Sequence, residues 1–300
     1  MARKQSPTSM RWIYPPDYDE RLGMDAVGTS IIPELIVLGC QKYSEAYQLT
    51  LHRHMIGYEF VYLEHGSVTW EVDGVQYPTS AGQWFFTAPG ELHKARFNHI
   101  EPSRIWWFII TDPACDSDWL NLGQQERSFI KAGLQQLPHV FRADDRVDEQ
   151  FARLKATLES DGPAKGLYAH HQMLDILLGL LQPVPAKTIE PEWRGKMTEL
   201  VQQLEQTPEK RFSIAEMAQA VQVSESHFYK LFQELFGQSP AAYMERVRIE
   251  QACELLLNSG LSIIEITHEL GFKTSQHFTN VFRKVIGCPP SEWRRREASG

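Results

Sequence analysis

The chain has 300 residues, 42% of them hydrophobic and 11% aromatic, and a formal net charge of −8. That content can bury substantial cores and excludes wholesale disorder, and the length fits about two domains. The longest apolar candidate, "MLDILLGLLQPV", falls well short of the ~20 residues that span a bilayer.

Residues 1–24 read as an N-terminal arm. Its start, "MARKQSPTSMRWIYPP", has charge but no apolar stretch, so no secretion signal is expected. The aromatics and prolines of "RWIYPPDYDERLG" would allow the arm to fold over a bound ligand as a lid. Cys40, Cys115, Cys253 and Cys288 are scattered without a CxxC pair, which fits reduced thiols in a cytoplasmic protein.

Residues 25–123 read as a β-barrel. "VTWEVDGVQY" alternates, with Val68, Trp70 and Val72 on one face, and Asp73-Gly74 supplies a hairpin turn. "GQWFFTAPG" and "RIWWFII" are short bulky runs between turn residues, as in buried strands. Within this region lies "HRHMIGYE". His52, His54 and Glu59 are residue types that hold a divalent metal, and the i, i+2 histidines of a strand point to one face. Three readings stay open for them: a metal site, a polar pocket for a small effector, or structural histidines near a barrel mouth.

From Gln124 to residue 182 the pattern turns helical. Val147, Phe151, Leu154 and Leu158 recur at helical spacing, and 165–182 is a further apolar helix. These stripes predict either pairing of two subunits or packing on the barrel. Residues 183–192 carry Pro183, Pro185 and Pro191 and read as a linker.

Residues 193–300 are predicted to be wholly helical. They hold 13 basic and 13 acidic residues, so the net negative charge belongs entirely to the N-terminal part. Arg283-Lys284 and Arg294-Arg295-Arg296 cluster the basic charge. The segment repeats itself. Phe228, Phe232, Gly237 and Pro240 match Phe278, Phe282, Gly287 and Pro290, all fifty apart. Each copy reads as helix, tight turn, helix, with Ser224 or Thr274 capping the second helix. Burial of its apolar stripe leaves Ser226, His227, Tyr229 and Lys230, or Ser275, Gln276, Thr279 and Asn280, near an exposed N-terminal end. Hydrogen-bonding side chains there, followed by Arg283 and Lys284, suit a recognition helix meeting base edges and phosphates.

The stretch "RIEQACELLLNSGLSIIEITHELGFKTSQHFTNVFRKVIGCPPSEWRR" resembles the DNA-binding domain of AraC/XylS-type transcriptional regulators. The resemblance covers 193–296. It implies two helix-turn-helix motifs on a rigid linker helix at about 240–258, both entering the major groove on one DNA face, ~34 Å apart. Asn280 and Thr267 depart from that family's usual basic residue and alanine. Upstream, His54, Glu59 and Gly66, then Gly82, Pro89 and His93 in "GQWFFTAPGELH", resemble the two cupin motifs. In cupin enzymes the matching His52, His54, Glu59 and His93 would bind iron, manganese or zinc. The sensor domains of AraC-type regulators are themselves cupin-like, and there such residues would line an effector pocket without a metal.

The expected architecture is therefore α+β with two domains: a cupin-like barrel with following helices, then an all-α domain with two helix-turn-helix motifs. The expected function is a DNA-binding regulator, not an enzyme, which needs no cofactor. Its effector, a small neutral sugar or polyol, would meet His52, His54, Tyr58, Glu59, Trp84 and His93. Its partners would be double-stranded operator DNA, a second copy of itself and, in an activator, RNA polymerase; none is a membrane. The rival is a metal-dependent cupin oxygenase or isomerase with a helical appendage.

Overall fold

The computed structural model describes residues 12–14, 31–182 and 191–297. Most of the N-terminal arm and the linker up to residue 190 lie outside the described residues. So does the lid expectation, apart from the short edge strand β1, Trp12–Tyr14, which pairs with β2, Leu35–Tyr43.

The barrel is organised by one long strand. β4, Gly57–Val72, is paired twice over. Its first half lies between β6, Gln83–Thr87, and β9, Ser103–Thr111; its second half lies between β5, Val75–Ser80, and β7, His93–Ala95. Between the halves, a register shift at Leu63/His65 and Gly66 at φ 91° turn the strand. A bulge of this kind increases twist and lets one sheet roll toward closure. The predicted hairpin forms as expected: Val72 faces Val75, with Asp73 and Gly74 both at positive φ.

Both faces of β4 are covered, so they make two cores. Tyr58, Phe60 and Tyr62 face outward from the barrel, together with Trp84, Trp106 and Phe108. Against them pack α1, Gln124–Leu134, α2, Val147–Glu159, and α3, Lys165–Leu180. Phe151 of α2 stacks on Trp106 with ring centroids 4.8 Å apart and planes at 4°. The predicted helical stripes thus bury against the barrel. Val61, Leu63, Val68, Trp70, Phe85 and Trp107 fill the interior. The short strands β3, Tyr47–Gln48, and β8, His99–Ile100, pair with each other. One element was not foreseen: β10, Val140–Arg142, interrupts the helical segment and pairs with β6.

The C-terminal domain has seven helices among the described residues: α4, Pro191–Gln206; α5, Ile214–Val221; α6, Glu225–Phe236; α7, Pro240–Asn258; α8, Ile263–Glu269; α9, Ser275–Ile286; and α10, Pro290–Glu297. Pro191, read as part of the linker, opens α4. The predicted linker helix is α7. Local sequence explains the boundaries. Ser213/Glu216 and Ser262/Glu265 form reciprocal capping boxes, Ser224 and Thr274 cap α6 and α9, and Gly237 and Gly287 end them in the left-handed conformation. Thr267, fully buried, satisfies its hydroxyl on the Ile263 carbonyl at 2.7 Å. Each motif has its own core, and α7 contributes its first half to one and its second half to the other.

Candidate effector site and nucleic-acid interface

Four of the six proposed effector residues converge. His52 and His93 pair across an antiparallel bridge, exchanging backbone hydrogen bonds of 3.0 and 2.9 Å. That pairing sets their rings 4.3 Å apart; the His54 ring lies 5.2 Å from His52 and 5.6 Å from His93. Glu59, on the interior face of β4, reaches His93 Nε2 at 2.7 Å and His54 Nε2 at 3.6 Å. Thr87, its cross-strand neighbour, approaches the same carboxylate at 3.5 Å. Burial pushes the Glu59 carboxyl up, but His54 and His93 outweigh it and hold the group well below the usual range. Burial pushes His93 down, and Glu59 reverses that and raises it; burial lowers His52.

Tyr58 and Trp84 do not join this group. Strand alternation turns Tyr58 away from Glu59, so it stacks on Phe86 and its hydroxyl meets Asp112 at 3.5 Å. Trp84 is 1% exposed and buried among the helix-packed aromatics. The aromatic platform expected for a sugar ring is therefore absent at these two positions.

On the other domain, Ser226, His227, Tyr229 and Lys230 of α6 are exposed, as are Gln276, Asn280, Arg283 and Lys284 of α9, with Ser275 and Thr279 half-buried. Ser224 and Thr274 are exposed but committed, accepting from the backbone of His227 and His277. Gln276 donates to Asn280 at 3.1 Å, so the two amides are held as one polar surface.

The C-terminal ends of both helices rest on the barrel, a feature with no mark in the sequence. A Cβ at Gly237 would stand 2.3 Å from the Ala81 nitrogen, and one at Gly287 would stand 2.8 Å from the His99 ring. The Ala46 N–H donates to the Lys284 carbonyl at 2.9 Å, Arg96 pairs with Glu250 of α7 at 3.1 Å, and the Phe97 ring meets Trp293 edge-on at 5.9 Å. Burial pushes the neighbouring Glu101 carboxyl up to about 7, against the pull of Arg246 and with the push of Glu250. Twelve-residue helices are ~18 Å long. With their C-termini on the barrel, their capped N-termini point away from it.

Comparison with known proteins follows the same division. Residues 41–177 match the family model of an AraC-like ligand binding domain, and residues 217–296 match a helix-turn-helix domain. The arabinose operon regulatory protein of Salmonella typhimurium is 27% identical over 228 residues, 74% of this chain and 78% of that one. Its counterpart in Escherichia coli is 26% identical over 228 residues, 74% of each chain. The HTH-type transcriptional regulator GbdR of Pseudomonas aeruginosa is 32% identical over 119 residues, 40% of this chain and 32% of that one. No helix among the described residues is long and apolar enough to cross a membrane.

Proposed function

We propose that this chain, which belongs through both of its domains to the AraC/XylS-type transcriptional regulators, reads operator DNA with α6 and α9 under the control of a small effector at the barrel mouth. The observation that carries this reading is the paired arrangement of α6 and α9. Both present hydrogen-bonding side chains at a free N-terminal end, and both rest their C-terminal ends on the sensing barrel. Base contacts would come from Ser226, His227, Tyr229, Lys230, Ser275, Gln276, Thr279 and Asn280, and phosphate contacts from Arg283 and Lys284. Ser224 and Thr274, whose hydroxyls serve as caps, would offer phosphates their helix ends.

The effector would engage His52, His54, Glu59 and His93. A neutral polyol or sugar fits this set, because its hydroxyls both donate and accept and the acidic domain disfavours polyanions. Effector binding would shift the population of arrangements of the two domains rather than create a new one. A second copy would pair through α1 and α3, where Phe129 is 64% exposed beside Leu174 and Leu178. RNA polymerase is the further partner of an activator.

Genomic fragments captured by the full-length protein, with and without candidate polyols, test the reading. Enriched fragments should carry half-sites about one helical turn apart, and their binding should weaken steeply with salt. A protein that retains no fragment above background at low salt sinks it.

A further inference from the structure

The two helix-turn-helix motifs are joined by more than the helix they share. α7 gives its first half to one core and its second half to the other. A single helix sets the distance between two bodies along its axis, but it bends gently and lets them rock about it. Leverage makes such rocking matter. Across one helical turn of DNA, ~34 Å, a tilt of about 6° moves a reading helix by ~3.4 Å, the rise of one base pair. A tie set off the α7 axis prevents this, and the structure has one. The loop between α4 and α5 crosses to the second motif, where Nη2 of Arg211 donates to the Gly271 carbonyl at 2.6 Å. Arg248 of α7 holds the same loop, donating from Nε to the Pro208 carbonyl at 2.8 Å and from Nη2 to the Lys210 carbonyl at 3.3 Å. Beside the tie the motifs part. A cleft of about 740 Å³ lies between them, lined by Ile214 and Met217 of the first motif, Met244 of α7, and Phe272 and His277 of the second.

The two turns show what Gly271 is for. The first motif places Gln222 in the same left-handed conformation, at φ 63° against 67° for Gly271. The turn by itself therefore accepts a side chain. Gln222 sends its side chain out to Lys196, whereas at Gly271 the space is taken by the first motif's loop: a Cβ there would stand 2.5 Å from the Glu209 carbonyl oxygen. Glycine in the second turn makes room for the first motif. Gly271 stands three residues before Thr274, the cap of α9, and Arg211 stands two before Ser213, the cap of α5. The tie thus joins the motifs beside the N-terminal end of α9, the end that points away from the barrel. It complements the barrel contacts, which hold the opposite ends of α6 and α9.

We propose that Arg211 is a positioning residue: its bond to Gly271 locks α6 and α9 at one separation, and so makes the protein select operators by the spacing between half-sites. The tie is polar and exposed, so it adds little to either core and its loss spares the fold. What it supplies is a preset geometry, which removes the ordering cost of finding that geometry on DNA. The inference deepens the proposed reading of DNA by α6 and α9 and rests on it. A measurement made without DNA lets the two fail separately.

The test compares the full-length protein with its Arg211→Ala variant in two ways. Spin labels on Gln219→Cys and Glu269→Cys, exposed positions of α5 and α8 rather than of the reading helices, report the separation of the motifs without DNA. Cys40→Ser and Cys115→Ser remove the half-buried and the exposed native thiols from both proteins. Pulsed dipolar spectroscopy should give a single narrow distance distribution with Arg211 and a broad one with Arg211→Ala. Duplexes made from captured fragments, with one base pair added or removed between the half-sites, report spacing selectivity. The wild type should lose about tenfold or more in affinity for each base pair, because a displaced reading helix meets mismatched bases, and Arg211→Ala should lose roughly threefold or less. Gln276→Ala, which removes a base contact, should weaken every spacing by the same factor. Far-ultraviolet circular dichroism confirms that each variant folds. An unchanged distance distribution, or an unchanged spacing penalty, overturns the proposal. A wild type that retains no duplex counts against the DNA reading instead, and the labels then still decide the tie.

Discussion

The two helix-turn-helix units repeat one set of folding devices, and they differ where a partner is met. Both open with a serine–glutamate capping box, cap the second helix with a hydroxyl, and close it with glycine. Both bury a phenylalanine pair, Phe228 with Phe232 and Phe278 with Phe282, at 5.5 and 5.7 Å. The outer surfaces diverge. α6 carries Lys230 but also Glu225 and Glu234; α9 carries Arg283 and Lys284 with no acid, and Arg294, Arg295 and Arg296 follow in α10. The second copy is thus the stronger electrostatic anchor, and the first depends more on hydroxyl, ring and imidazole groups. Shared positions report what the fold needs, and divergent ones report what each copy touches.

The largest effect should separate the cores. Phe282 and Phe228 are fully buried in different clusters. Truncating either to alanine should cost about 3–5 kcal/mol. Native-state hydrogen exchange on Phe282→Ala should show α8–α10 losing protection while α4–α6 keep theirs, and Phe228→Ala should show the converse. Uniform loss in both variants would mean that α7 couples the copies into one unit.

Next in size is base reading. Gln276→Ala should cost about 1–3 kcal/mol at one base position and relax preference there. Arg283→Ala and Lys284→Ala should weaken all sequences alike, each lowering the salt slope by ~0.9. Lys230→Ala, a change at a base-reading position of the first copy, should instead relax preference at one base position there. A binding-site selection on each variant, repeated at two salt concentrations, separates the two behaviours. If α6 variants alter the salt slope more than α9 variants, the assignment of anchors is reversed.

The closing glycines sharpen the comparison at the barrel. Alanine at either costs ~1–2 kcal/mol from the left-handed backbone alone. At Gly237 the obstructing atom is the Ala81 backbone, whereas at Gly287 it is the movable His99 ring. Gly237→Ala should therefore lower the melting temperature more and loosen the domains further, seen as faster proteolysis of the linker. Glu101 gives the same contact a pH dependence. Burial raises its carboxyl from 4.5 to about 7. The docked state holds that proton more tightly, so docking is fully favoured below pH 4.5 and weakens as pH rises through about 7. Glu101→Gln should flatten this dependence, read as linker proteolysis at pH 5.5 and 8 of wild type against variant.

Legibility in the sequence followed the range of the contacts. The helical half was readable because caps, stripes and closing glycines act within a few residues. The Val68–Tyr77 hairpin was readable for the same reason. Three of the four metal-type residues stand within "HRHMIGYE", and the cupin-like pattern brought in His93. Tyr58 and Trp84 were misplaced because both faces of β4 and β6 are buried. Alternation then separates the faces without saying which one is interior. β10 was missed because three residues carry too little periodicity to stand out inside a helical stretch. The barrel contacts of Gly237 and Gly287 could not be read, since the same glycines are fully explained as helix caps.

The smallest expected effect lies in the turn between the two helices of each motif. The second copy uses Gly271 at φ 67°, while the first places Gln222 at φ 63°. A side chain there meets its own carbonyl, which costs ~1–2 kcal/mol, and glycine recovers this less the ~0.5–1 kcal/mol of extra chain entropy it loses on folding. Gln222 also accepts from Lys196 at 2.7 Å on an exposed surface, a contact worth ~0.5 kcal/mol, at the low end for hydrogen bonds. The balance favours glycine by only about a few tenths of a kcal/mol. Gln222→Gly should raise the denaturation midpoint slightly without changing the slope with denaturant, and it should leave DNA affinity unchanged, since Gln222 lies before the reading face of α6. The reciprocal Gly271→Gln should cost more than this gain, because the Cβ would stand 2.5 Å from the Glu209 carbonyl oxygen. Equal and opposite changes in the two variants would show that backbone conformation alone, and not that close approach, distinguishes the two turns.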